Sequence, residues 1–93
     1  MNTNYVFYSD PGHGWLAVST EELELLGIDS KITACSYQSP DGSVSYLEED
    51  CDLATFFHAK GWNAWPEDKI ASVYLKDEAF IRRLPSFVCE AYA

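Results

Sequence analysis

The chain has 93 residues, of which 47% are hydrophobic and 15% aromatic. This composition excludes a disordered segment and predicts a single domain over residues 1–93. Fifteen acidic residues against six basic ones give a formal charge of -9, which disfavours direct binding to nucleic acid or to anionic membranes and favours a basic protein partner. Three cysteines without close spacing indicate reduced thiols, and no leader or membrane-spanning stretch is evident. We therefore expect a cytoplasmic protein.

The first third of the chain predicts a hairpin followed by a helix. Two β-prone runs, residues 5–8 and 15–18, flank the turn-forming sequence Asp-Pro-Gly-His-Gly. Ser19, with a glutamate three positions later, matches a capping box and predicts a short helix over about residues 20–26. Gly27 follows where a left-handed residue commonly ends a helix.

The middle of the chain also predicts a hairpin followed by a helix. Residues 32–38 and 43–48 flank a Ser-Pro-Asp-Gly turn and predict a second hairpin. Apolar residues at positions 53, 56 and 57 have the spacing of an amphipathic helix, which we expect to end at Gly61.

The last third predicts a loop over residues 62–68, a strand over 70–75, a helical turn within 77–84 and a short extended piece over 87–92. Hairpins interleaved with helices, without a repeated βαβ pattern, indicate an α+β fold. We expect a small antiparallel or mixed sheet of about five strands, with two or three short helices packed on one face.

No residue pattern indicates catalysis. His13 lies in a loop near Asp10 and has the chemistry of a general base, but Asp10 equally well forms a local turn with the backbone, and no nucleophile or oxyanion donor is evident. Cys51 and His58 share a helical face, yet two ligands do not make a metal site. The acidic run over residues 48–52 lacks the glycine of a calcium loop. The sequence thus predicts a protein that is not an enzyme and that has neither metal nor cofactor.

An acidic run close to an aromatic loop is the remaining functional signal. Tryptophan anchors protein interfaces, and complementary charge speeds encounter with a partner. The alternative is that the carboxylates merely cap the second helix. The predicted partner-binding residues are Glu48, Glu49, Asp50, Asp52, Trp62 and Trp65.

Several short motifs resemble a group of small uncharacterised proteins of bacteriophages and prophages. They are Ser-Asp-Pro-Gly-His-Gly-Trp-Leu at residues 9–16, Leu-Gly-Ile at 26–28, Lys-Ile-Thr at 31–33, Ser-Tyr-Gln at 36–38 and Tyr-Leu-Glu-Glu-Asp-Cys-Asp at 46–52. The resemblance covers roughly residues 5–60. It implies, by class, an anti-defence protein such as an anti-CRISPR inhibitor.

The net negative charge, the acidic run over residues 48–52 and the resemblance to phage proteins together favour a non-enzymatic inhibitor. We expect it to occupy a basic surface of a host nucleic-acid-handling defence complex, such as a CRISPR effector, without binding nucleic acid itself. The alternative is a structural or regulatory interaction protein of the phage or prophage, which pairs with itself or with another phage protein. Either a monomer or a homodimer fits these observations.

Overall fold

The computed structural model describes residues 5–89. They form an α+β fold with a five-stranded mixed sheet, as the sequence predicts. The strands are β1 (Tyr5–Ser9), β2 (Gly14–Ser19), β3 (Tyr37–Gln38), β4 (Val44–Glu48) and β5 (Ile70–Tyr74); the helices are α1 (Thr20–Leu25) and α2 (Leu53–Lys60); 3₁₀ turns span Asp29–Lys31 and Phe80–Arg83.

The sheet has the strand order β3-β4-β2-β1-β5. The first predicted hairpin is present, with Ser9 opposite Gly14, and β2 continues antiparallel to β4, with Trp15 opposite Glu48. Only β5 runs parallel to its neighbour β1 within the described sheet, beginning with Tyr5 opposite Ile70. The β2–β4 pairing brings the first loop next to the end of β4, where the candidate site lies.

Both α-helices pack on one face of the sheet. Leu16 and Leu47 are cross-strand partners on this face, and both are fully buried. Leu23 from α1 and Phe56 from α2 join them in one apolar cluster. Alternation of side chains along each strand sends these residues to the same side, so the sheet and the two helices share a core.

The opposite face is covered by the chain after β5. Trp15, Ala79 and Ile81 form a second buried cluster there, against the half-buried rings of Tyr37 and Tyr46. The helices therefore lie on one face as predicted, whereas the 3₁₀ turn Phe80–Arg83 lies across the other.

Local signals at the helix ends are confirmed. The Ser19 hydroxyl accepts a hydrogen bond from the Glu22 amide at the start of α1 (3.1 Å). Gly27 and Gly61 follow the two helices with φ of 72° and 74°. The amide of the residue after each glycine then reaches back to a helical carbonyl, as Ile28 does to Leu23 (3.0 Å), which is the pattern of a Schellman cap.

The predicted strand over residues 32–38 is wrong for most of its length. Only Tyr37 and Gln38 pair in the sheet. The carboxylate of Asp52, which is fully buried, accepts hydrogen bonds from the Thr33 amide, the Thr33 hydroxyl and the Ser36 hydroxyl. These contacts hold the segment in a turn, because its polar groups bond to Asp52 instead of to a neighbouring strand.

The chain end differs from the predicted extended piece over residues 87–92. Residues 87–89 are in no strand, although Ser86 forms an isolated bridge with Tyr37. Residues 90–92 of that prediction lie outside the described residues. Neither helix between residues 5 and 89 is long and apolar enough to cross a membrane.

Candidate functional site

A cleft of about 250 Å³ opens where the β1–β2 loop meets the end of β4 and the turn into α2. The β2–β4 register creates it, because pairing Trp15 with Glu48 places the preceding loop beside the turn that follows β4. The Glu49 amide donates to the Gly14 carbonyl and fixes this arrangement (2.9 Å). The lining residues are His13, Trp15, Cys35, Tyr37, Glu48, Asp50, Cys51 and Arg82.

Glu48 is the best-organised carboxylate of the cleft. Its Oε1 accepts hydrogen bonds from the amides of Asp50 (2.8 Å) and Cys51 (3.0 Å), and its Oε2 lies 3.0 Å from His13 Nδ1. Burial works against ionisation, but the bonds from His13 and the two amides outweigh it and hold the pKa of Glu48 below 4.5. Glu48 is therefore a carboxylate at neutral pH, with His13 Nδ1–H as its donor.

Asp10 fixes the loop that carries His13. Its Oδ1 accepts from the amides of Gly12 (2.9 Å) and His13 (3.0 Å), which confirms the expected local turn. Its Oδ2 accepts from Arg82 Nε (2.7 Å) and from the Ala79 amide (2.9 Å). Arg82 above all holds the pKa of Asp10 well below its ordinary value, even though burial opposes it. The link to Arg82 joins residues that no local sequence signal connects.

Trp15, which lines the cleft, carries a buried donor without a partner in the described part of the chain. The residue is 1% exposed, and the Arg82 guanidinium lies over its ring at 5.3 Å. Its indole Nε1–H is buried without an acceptor among residues 5–89. A buried donor without an acceptor costs about 1–3 kcal/mol of stability.

Two exposed thiols, Cys35 and Cys51, also line the cleft. A hydrogen bond with Cys35, assisted by burial and by the neighbouring Glu48, raises the pKa of Cys51 to about 12. Cys51 is therefore a thiol and not a thiolate, which makes it a poor nucleophile. Its interactions with Cys35 and Glu48, rather than with His13, do not form the nucleophile–base pair of a cysteine enzyme.

His13, Glu48 and Asp50 each place a potential metal-ligand atom within 4.8 Å of the other two. The sequence predicts no metal site, because these residues come from two distant loops and match no ligand spacing. Only the β2–β4 register, which is a tertiary feature, brings them together. The loop position of His13 and the acidic run over residues 48–52 are the two signals for this site in the sequence.

The predicted acidic binding surface is divided by the fold. Glu49 and Asp50 are exposed, but Glu48 is 6% exposed and Asp52 is fully buried. The four carboxylates thus do not form one surface patch. Asp52 occupies the N-cap position of α2, as the capping alternative expects, but its side chain makes no capping bond and instead holds Thr33 and Ser36.

The two predicted tryptophans also differ in environment. Trp62 is half-buried and packs edge-on against core rings, including Tyr5 (5.6 Å) and Phe57 (5.2 Å). Trp65 is 38% exposed and meets the Phe7 ring edge-on at 5.1 Å. Trp65 is therefore the accessible ring of the pair, whereas Trp62 is chiefly part of the core.

A second cleft, of about 470 Å³, lies between the start of α1 and the β3–β4 turn. Glu21 and Glu24 from α1 and Asp41 from the turn line it. The described residues that line it include no lysine or arginine. Hydrogen bonds from the Ser43 amide and from the Ser39 and Ser43 hydroxyls lower the pKa of Asp41 to about 2, so Asp41 is ionised at neutral pH.

Comparisons with protein-family models, with curated proteins and with solved structures found no match.

Proposed function

We propose that the protein is a non-enzymatic acidic binding module that docks on a basic surface of a partner protein or nucleoprotein complex. The observation that carries the proposal is the distribution of charge. Four cations are engaged by carboxylates: Lys60 by Glu22, Lys69 by Asp68, Arg82 by Asp10 and Arg83 by Glu78. With a formal charge of -9, the remaining carboxylates leave a negative surface that attracts cationic partners.

The acidic cleft of Glu21, Glu24 and Asp41 is the docking point that we favour. All three residues are exposed, and the position of Asp41 is fixed by its bonds to Ser39 and Ser43 (2.7–3.0 Å). A carboxylate held in place loses less side-chain entropy on binding than a free one. We therefore place the electrostatic contact away from Glu48 and Asp52, which are buried.

The resemblance of residues 5–60 to small phage and prophage proteins supports a narrower form of the proposal. In that form the partner is a host nucleic-acid-handling defence complex, and the protein inhibits it in the manner of an anti-CRISPR protein. A surface that normally holds phosphates presents lysine and arginine side chains, and exposed carboxylates are their natural counterparts.

The test uses the full chain, immobilised and exposed to a nuclease-treated lysate of a bacterial host. We expect wild-type protein to retain complexes that handle DNA or RNA, and added DNA to release them. The double variant E21Q/E24Q should weaken binding of the retained complex on the order of tenfold, mainly through slower association. Biolayer interferometry at two salt concentrations measures this change.

The matched control is E67Q/D77N, which removes the same charge from exposed positions outside the acidic cleft. It should bind nearly as wild type does. Equal weakening by both double variants would show that net charge alone matters and would contradict docking at the acidic cleft. Retention that DNA does not reduce would contradict competition for a phosphate-binding surface.

A further inference from the structure

The cleft beside His13 has a donor set that the proposed docking function does not use. His13 supplies an imidazole nitrogen, Glu48 and Asp50 supply carboxylate oxygens, and the three ligand atoms lie within 4.8 Å of one another. Two ligands of one tetrahedral zinc ion lie roughly 3.3 Å apart, given metal–ligand distances of about 2.0–2.1 Å. His13 Nδ1 and Glu48 Oε2, which share a hydrogen bond in the free protein, lie 3.0 Å apart, and an ion bound between them would replace the shared proton.

Hydrogen bonds to other parts of the protein hold His13 and Glu48 in place. The His13 amide is fixed by Asp10, which Arg82 holds in turn. Glu48 keeps its orientation through the amides of Asp50 and Cys51, which bond to Oε1 and leave Oε2 facing His13. Asp50 follows in the same turn with a carboxylate oxygen within 4.8 Å of the other two donor atoms, and supported ligands such as His13 and Glu48 favour metal binding.

A second observation at the same cleft is independent of the acidic groups. The indole Nε1–H of Trp15, a residue 1% exposed that lines the cleft, meets no acceptor among the described residues. A metal ion coordinated by three protein groups keeps a further position for water or an anion. The water or anion would bring an oxygen acceptor for the indole donor into the cleft. An acidic cluster without an ion leaves this donor unexplained.

The donor types select the class of ion. Imidazole favours zinc and its first-row neighbours over magnesium and calcium, which prefer oxygen alone. The thiols of Cys35 and Cys51 line the same cleft and are also soft donors. Arg82 is the nearby cation, but both its Nε and its Nη2 are bonded to Asp10 (2.7 and 2.9 Å), so its charge is compensated.

We propose that His13, Glu48 and Asp50 form a binding site for a divalent transition-metal ion of the zinc class. The site is a mononuclear centre at the junction of the β1–β2 loop and the β4–α2 turn. It is separate from the acidic cleft at α1, so either assignment stands or falls without the other.

The experiment titrates the reduced, metal-free full chain with Zn²⁺ by isothermal calorimetry, and with Co²⁺ by visible absorption. We expect one ion per chain and cobalt bands of a low-symmetry site without a thiolate charge-transfer band. His13→Ala and Asp50→Asn should each weaken Zn²⁺ binding by at least about tenfold, since losing even an outer partner of a ligand costs that much. His58→Ala and Asp77→Asn, which alter residues outside the cleft, should bind as wild type does.

Nuclear magnetic resonance of the wild-type chain keeps the test decisive if His13→Ala fails to fold. The ring signals of His13, and not those of His58, should shift on addition of Zn²⁺. Equal affinity in wild type and Asp50→Asn, or unshifted His13 signals at saturation, would overturn the proposal. So would a thiolate band together with loss of binding in C35S/C51S alone, because the ligands would then be the cysteines.

Discussion

At the scale of single residues, Asp10 connects more of the molecule than any local pattern indicates. Its carboxylate, which is almost fully buried, accepts from two amides of its own loop and from Ala79 and Arg82 near the end of the described chain. It thereby ties the loop that carries His13 to the segment that covers Trp15. A buried charge in this position is stabilising only while its partners stay in place.

We expect Asp10→Asn to lower the free energy of unfolding by about 3 kcal/mol, the low end for breaking a buried ion pair, because Arg82 is partly solvated. The folded-state pKa of Asp10 is depressed below its ordinary value of 3.8. Its contribution is thus complete above that value and is lost as the pH falls below it. Urea unfolding at a series of pH values should show that the free energy of unfolding falls less steeply at acid pH in the variant than in the wild type.

Asp77→Asn is the matched control, because it makes the same chemical change at an exposed site that has no ion pair among the described residues. It should leave the free energy of unfolding, and its decrease at acid pH, close to those of the wild type. A loss of stability as large as that of Asp10→Asn would mean that net charge, and not the Arg82 contact, sets the effect.

At the scale of elements, the turn over residues 29–36 depends on a residue from the other side of the β3–β4 hairpin. Asp52→Ala removes the acceptor of the Thr33 amide and of the Thr33 and Ser36 hydroxyls. We expect a loss of about 3 kcal/mol, measured by chemical denaturation, mainly because the fully buried Ser36 hydroxyl loses a charged partner. Glu49→Ala is the control, since its side chain is exposed; equal losses would contradict a structural role particular to Asp52.

The contact between Asp52 and the segment before β3 illustrates which elements could be predicted from the sequence and which could not. Local sequence patterns predict the elements that depend on neighbours within a few positions. These elements are the α1 cap at Ser19, the helix ends at Gly27 and Gly61, and the first hairpin. The interruption of the strand over 32–38 depends on Asp52, which is distant in sequence. Tertiary hydrogen bonds overrode a β-prone pattern there.

The candidate site was less predictable for the same reason. The sequence marks His13 and the acidic run as groups that could carry chemistry, but their proximity follows from the β2–β4 register. The burial of Glu48 and Asp52 follows from tertiary contacts as well. Charge counts record how many carboxylates a chain has, whereas burial decides which of them a partner can reach.

At the scale of the whole molecule, the excess of negative charge opposes the folded state. The molecule extends over 34 × 30 × 22 Å, and the Debye length is roughly 30 Å at 0.01 M salt and 8 Å at 0.15 M. Repulsion therefore acts across the molecule at low salt and only between near neighbours at higher salt. We expect sodium chloride to raise the free energy of unfolding over this range, measured by thermal and urea denaturation.

The buried pair of Asp10 and Arg82 is screened far less than exposed charges, so it should not cancel the trend. A fall in stability with added salt would instead show that attractive surface pairs outweigh the repulsion. Potassium chloride should act like sodium chloride if the effect is screening, because screening depends on ionic strength.

The parallel pairing of β1 with β5 has a consequence during synthesis on the ribosome. The residues of the first hairpin and of both helices are synthesised before Ile70–Tyr74, so the outer side of β1 stays unpaired until late. Contacts between distant parts of a chain also form slowly. The nascent polypeptide thus exposes an unpaired strand edge, the kind of surface that chaperones shield from wrong partners.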